Sequence, residues 1–267
     1  MKSFGAKSIL LACMGSLALG AGHVVMAQAI FTESGMGPGG VPISASATFT
    51  ISGNDLTVVL RNTAPSNSGQ DVPGSTLTGV FFDLPGSWVL APWSATIAAG
   101  SILQGTFCST ALCTSSQTNV GGEFGYQAAS LPGGADRGIA SAGYLTTGLS
   151  ENRGNFANDG TTGGLAGVNL DSPSSLDGIN FGIISAAAGF NPNGGLSSEP
   201  LIRDTVTFVL RGANGLGYSD ISHVSFQYGT SITETIIPGI PEPEIYAMML
   251  AGLGLMGFVV RRRRQQQ

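Results

Sequence analysis

Beyond its first 29 residues this sequence is poor in side chains that do covalent or metal chemistry. Its thiols and imidazole there are Cys108 and Cys113, in Phe107-Cys108-Ser109-Thr110-Ala111-Leu112-Cys113, and a single histidine, His223. In an oxidising compartment, two cysteines closing so short a loop are read as a disulfide. Zinc would need two further nitrogen or sulfur ligands, which one histidine does not supply, so no metal site is assigned. His223 lies in an alternating run and reads as an ordinary strand residue. No Gly-x-Ser-x-Gly elbow accompanies it, so nothing positive points to a serine hydrolase. The sixteen acids all fall between Glu33 and Glu244. Two of them at a suitable separation would serve a glycosidase, which keeps a secreted glycan-active hydrolase as one alternative. Yet Asp136, Asp159, Asp171 and Asp177 stand singly in turn-like stretches, where Asx turns and solubility account for them. Turn aspartates and carbonyls are also hard-cation ligands. Gly133-Gly134-Ala135-Asp136 echoes a single calcium-binding glycine-rich repeat, which leaves structural calcium open and no other cofactor implied. Trp88 and Trp93, in Trp88-Val89-Leu90-Ala91-Pro92-Trp93 with Phe81 and Phe82 nearby, form a candidate sugar platform. The competing reading places those rings in the core. The expectation is a protein without catalysis of its own.

Charge narrows the partners. From Ile30 to Glu244 five arginines face sixteen acids, a net charge of -11, and this stretch has no lysine. Nucleic-acid binding draws most of its affinity from basic side chains neutralising phosphates, so nucleic acid is excluded as a partner. The remaining basic residues are Lys2, Lys7 and Arg261 to Arg264, all at the ends.

Those ends carry the strongest signals. Lys2 and Lys7 precede an apolar run from Ile9 to Leu19, and Ala27-Gln28-Ala29 is a small-x-small site. This is the pattern of a secretory signal peptide, residues 1–29, cut by signal peptidase to give a mature start at Ile30. Leu10-Leu11-Ala12-Cys13 looks like a lipobox, but too few apolar residues precede the cysteine. At the other end, Pro241-Glu242-Pro243 is followed by apolar Ile245 to Val260 and then by Arg261, Arg262, Arg263 and Arg264. As a helix, those sixteen apolar residues reach about 24 Å, slightly short of a hydrocarbon core of about 30 Å. The positive-inside rule puts the arginines in the cytoplasm as a basic stop, and Pro241 to Pro243 just outside the membrane.

This order of parts resembles the Pro-Glu-Pro C-terminal sorting domain (PEP-CTERM) of surface proteins in Gram-negative bacteria, which are handled by exosortases. The resemblance implies that Pro241, Glu242 and Pro243 are the recognition residues of the sorting signal. It further implies that the tail holds the chain transiently in the inner membrane, and that the protein then passes to the cell surface or the exopolysaccharide matrix. Three inner segments, Leu77 to Leu84, Leu176 to Gly182 and Val224 to Thr230, look like blocks in uncharacterised exosortase-dependent surface proteins. No known activity comes with them.

The elements that must position these residues are strands. Ile43 to Ile51 alternates apolar and small polar residues, as does Leu56 to Leu60, and Ser52-Gly53-Asn54-Asp55 between them is a turn cluster. This is a hairpin pattern. Further strands are expected at Leu77 to Leu84, Trp88 to Ala91, Ser94 to Ala98, Phe181 to Ser185, Thr205 to Arg211 and His223 to Tyr228. The Gly/Ser/Asn-rich stretch from Ser115 to Ser175 reads as an insertion with short strands, anchored by residues such as Phe124 and Tyr126. The fold class expected is all-β: an antiparallel, jelly-roll-like β-sandwich over residues 30–238. A sorting segment follows at 239–267, with its transmembrane helix at 245–260 and basic tail at 261–264. Function follows as a surface or biofilm-matrix structural or interaction protein, the first alternative being a carbohydrate-binding module for exopolysaccharide.

Overall fold

The computed structural model describes residues 27–65, 72–86, 88–105, 118–121, 123–128, 131–141, 154–155, 179–187, 196, 199–229 and 235–241. The expected signal peptide, apart from its last three residues, and the expected membrane helix lie outside them. Its strands, in chain order, are β1 (Ala29–Met36), β2 (Pro42–Ser52), β3 (Asp55–Asn62), β4 (Leu77–Asp83), β5 (Ala91–Ile97), β6 (Ile102–Gln104), β7 (Gly125–Ala128), β8 (Arg137–Ala140), β9 (Gly154–Asn155), β10 (Ile183–Ile184), β11 (Leu201–Arg203), β12 (Thr205–Arg211), β13 (Ser222–Tyr228), β14 (Thr235–Pro238) and β15 (Ile240–Pro241). The first sheet runs β15-β1-β2-β3-β12-β5. The second runs β6-β11-β10-β4-β8-β7-β9, with β13 also on β4 and β14 on β13.

Alternation builds the first sheet. Ile43, Ala45, Ala47 and Phe49 of β2, Leu56, Val58 and Leu60 of β3, and Val206, Phe208 and Leu210 of β12 all turn inward and are buried. Serines and threonines take the outward positions of β2 and stay half-buried. Successive side chains of a strand point to opposite faces, so this period of two fixes which face meets the second sheet. The β2–β3 hairpin closes over Gly53 and Asn54, with Gly53 at φ 59 and Asn54 on the ordinary side of the backbone map. Glycine with positive φ at the first central position is the demand of a type II′ hairpin turn.

Facing it, β4 buries every residue from Leu77 to Phe82. Both of its faces are covered. Val80 and Phe82 enter the principal core, while Phe81 packs on the opposite side with Leu131, Ala135 and Ile236. The core is joined across the sheets by edge-to-face rings: Phe49 with Phe82 (5.4 Å) and Phe124 with Phe208 (4.9 Å). Asn62 adds a polar tie, its Nδ2 donating to the carbonyls of Ser75 (2.9 Å) and Ile183 (2.8 Å).

Several expectations need correction in detail. Short Gly-containing turns make β1, β2 and β3 a meander within one sheet, whereas a jelly roll passes successive strands between sheets. The β10–β11 ladder is parallel, and the other described ladders are antiparallel. Trp88 to Leu90 is not strand. Pairing starts at Ala91 and carries a bulge at Trp93, beside Pro92, which has no N–H to offer a ladder. Phe181 adopts φ 59 and forms a turn, so the strand expected from that point begins only at Ile183. Short strands do occur in the Gly-rich stretch, as β7, β8 and β9. At the N-terminus β1 begins at Ala29, buried opposite Phe49, and a mature start at Ile30 would keep all but the first residue of that strand. At the C-terminus the folded body extends past residue 238, because β15 pairs with β1.

Candidate functional site

The last described segment, 235–241, passes from one sheet to the other. β14 lies on β13, with Phe226 opposite Ile237 and Ser225 opposite Pro238. Gly239 then donates its N–H to the Val224 carbonyl (2.6 Å). A Cβ there would stand 2.9 Å from the Phe226 ring and 3.4 Å from Cβ of Phe31, so only glycine fits this joint without a neighbour moving. β15 follows at once on the free edge of β1, with Thr32 opposite Ile240 and Phe31 opposite Pro241. A proline sits in a ladder where its nitrogen faces away from the partner, which suits an edge strand. The sequence-predicted recognition residue Pro241 is thus the terminal residue of a two-residue strand, antiparallel to the strand that opens the folded body. Glu242, Pro243 and Arg261 to Arg264 lie outside the described residues.

The two tryptophans are held separately. Trp88 is half-buried against the principal core. Its carbonyl accepts an N–H of Arg137 (2.9 Å), which anchors the segment before β5 to β8. Trp93 projects from the bulge of β5, and the Arg211 guanidinium lies 3.2 Å above its ring centroid. Arg211 also stands 3.6 Å from the Asp55 carboxylate, so the cation over that ring is itself held in place. One face of Trp93 is therefore taken. Cys108 and Cys113 lie outside the described residues.

A polar cluster that sequence reasoning missed surrounds the end of β4. His223 is not an ordinary strand residue: it has φ 46, at a register shift between Ser222 and Ser225. The left-handed backbone swings its ring outward, where Nδ1 lies 2.7 Å from Asp83 Oδ2. The other oxygen of Asp83 accepts the Asp136 N–H (2.8 Å), and Asp136 Oδ1 accepts the Leu84 N–H (3.2 Å). These reciprocal bonds lock the β4 exit to the Pro132–Gly134 turn. Gly133 and Gly134 have φ 77 and 85, so this loop is a tight turn whose aspartate already serves protein donors. Among the described residues no group of three or more His, Cys, Asp or Glu side chains gathers as a metal site would. No local signal marks the pair, because Asp83 and His223 lie 140 residues apart and meet only through the register of β4 on β13.

Buried hydroxyls are the other electrostatic feature. Tyr126, on β7, has its pKa pushed up to about 12 by burial, opposed by the nearby Arg137 charge and reinforced by Asp136. Tyr228 is driven upward by burial alone. Neutral phenols in this setting are packing elements, too weakly acidic to act as bases near neutrality.

Among the described residues no helix is long and apolar enough to cross a membrane. No curated protein and no solved structure matches the chain. One family model does, the PEP-CTERM protein-sorting motif, over residues 239–264. That match begins at the glycine joint, takes in β15 and ends on the last arginine of the basic run. Residues 239–264 are thus a PEP-CTERM protein-sorting motif, which marks this chain as an exosortase-targeted protein destined for export and surface sorting.

Proposed function

We propose that this protein is a non-catalytic structural or interaction component of the cell surface or biofilm matrix. In this reading its β-sandwich is exported by a cleaved signal peptide, held briefly in the inner membrane by residues 245–260, and freed by exosortase cutting of the tail. The observation that carries the reading is the sorting motif at 239–264. The engagement of Trp88 by the core and of Trp93 by Arg211 favours a structural role over a two-ring sugar platform. Asp83 and Asp136 each accept a backbone N–H from the other's segment, which suits a scaffold better than a glycan hydrolase.

Intact mass of the protein recovered separately from envelope and medium of its host tests the pathway. The expected species starts at Ile30 and lacks everything beyond Pro243. Replacing Pro241 and Pro243 together with alanine should leave export intact and keep the full tail in the membrane fraction. If unaltered protein retains Arg261 to Arg264 in every fraction, the tail is a plain anchor and the processing reading fails.

A further inference from the structure

We infer that the outer edge of β1 is an intramolecular seat for the sorting segment, and that β15 must leave this edge before exosortase cuts the tail. The inference rests on the exosortase reading above and deepens it.

Four observations carry it. The first residue of the Pro-Glu-Pro triplet, Pro241, is paired with Phe31, so the signal is partly folded into the sandwich. The segment arrives there under constraint, because Gly239 is wedged among Val224, Phe226 and Phe31 and donates to Val224. The ladder beyond that joint is only two pairs long, Thr32 with Ile240 and Phe31 with Pro241, and Ile240 is 61% exposed. A short, exposed ladder belongs to the low-stability end of a fold and opens far more readily than the core. Finally, the chain from Pro241 to the apolar run at Ile245 spans four residue steps, a reach of about 14 Å at most. With β15 in place the sandwich edge would stand almost against the membrane surface, where it crowds an enzyme embedded in that membrane. Release of β15 lengthens the free tether back to Gly239 and offers Pro241 as extended chain. A folded body thus sets the rate at which its own sorting signal is presented.

The test is a reversible lock. Thr32 and Ile240 are directly opposite, and antiparallel partners have Cα atoms about 4.5–5.5 Å apart, inside the range a disulfide bridges. The full-length Thr32→Cys/Ile240→Cys chain is expressed in a host with and without exosortase, and tail loss is followed by mass. With the bond formed, processing should slow at least about tenfold, and reductant or either single substitution should restore the parent rate. Gly239→Ala, whose Cβ meets Phe226 and the Val224 carbonyl, should displace β15 and speed processing severalfold. An oxidised double variant that loses its tail as fast as the parent overturns the inference, as does an unchanged rate in Gly239→Ala. If the unaltered chain keeps its tail equally with and without exosortase, the sorting reading has failed instead. That outcome is read from the parent alone.

Discussion

Replacing Asn62 with alanine should cost this domain a large share of its stability, although the residue touches nothing functional. Asn62 ends β3 at an inward position and is 1% exposed. Its Nδ2 donates to two carbonyls, of Ser75 before β4 and of Ile183 in β10, while Oδ1 accepts the Ala64 N–H (3.1 Å). One side chain therefore ties the first sheet to two separate segments of the second. An ordinary intramolecular hydrogen bond is worth about 1 kcal/mol net, but stranding a buried partner costs about 1–3 kcal/mol. With three partners left in a dry interior the loss should be about 3–5 kcal/mol, out of roughly 5–15 kcal/mol for a domain. Urea unfolding of residues 30–241 is the assay, read as a fall in midpoint at unchanged slope. Asn62→Asp supplies the internal control. It keeps the acceptor for Ala64 but points carboxylate charge at two carbonyl oxygens, so its folded-state pKa rises above the unfolded value. A raised carboxyl pKa makes the variant most stable below about pH 4 and progressively less so as pH climbs through the folded pKa. A loss under about 1 kcal/mol in the alanine variant, or an aspartate variant insensitive to acid, would refute this account of the tie.

Two further outcomes follow from the core. Buried Tyr126 and Tyr228 keep their protons in the folded state after the unfolded chain has lost them near pH 10, so stability is full below that pH and falls above it. Each contributes a slope of about 1.4 kcal/mol per pH unit. Tyr126→Phe should remove one share between pH 10 and about 12, and an unchanged alkaline slope would count against it. Gly138→Ala places a Cβ 2.5 Å from the Phe81 ring and 2.6 Å from a Leu131 methyl, so thermal unfolding should register a cost of about 1–3 kcal/mol. No measurable shift would mean that the outer cluster is loosely packed.

Much of the architecture was legible locally. Period-two alternation identifies β2, β3 and β12 because each strand writes its own inward face into every second residue, and the β2–β3 turn is announced by Gly53-Asn54. β1 escaped notice because Glu33, Ser34 and Gly35 end its apolar pattern after Phe31, and its pairing comes from β2. β7, β8 and β9 could be expected only as a class. They are short, and Gly125 and Gly138 carry no side-chain pattern to locate them.

The sorting signal belongs to the sequence by itself. Pro241 to Pro243, the apolar run and the four arginines form a contiguous code that needs no fold to be recognised. Tertiary structure decided that Pro241 rests on β1, that Arg211 covers Trp93, that His223 meets Asp83, and that Asn62 bridges the sheets. The physical reason is distance along the chain. Each of these contacts joins residues more than a hundred positions apart, and which of them meet is set by strand register and burial in the assembled sandwich rather than by the residues flanking either partner.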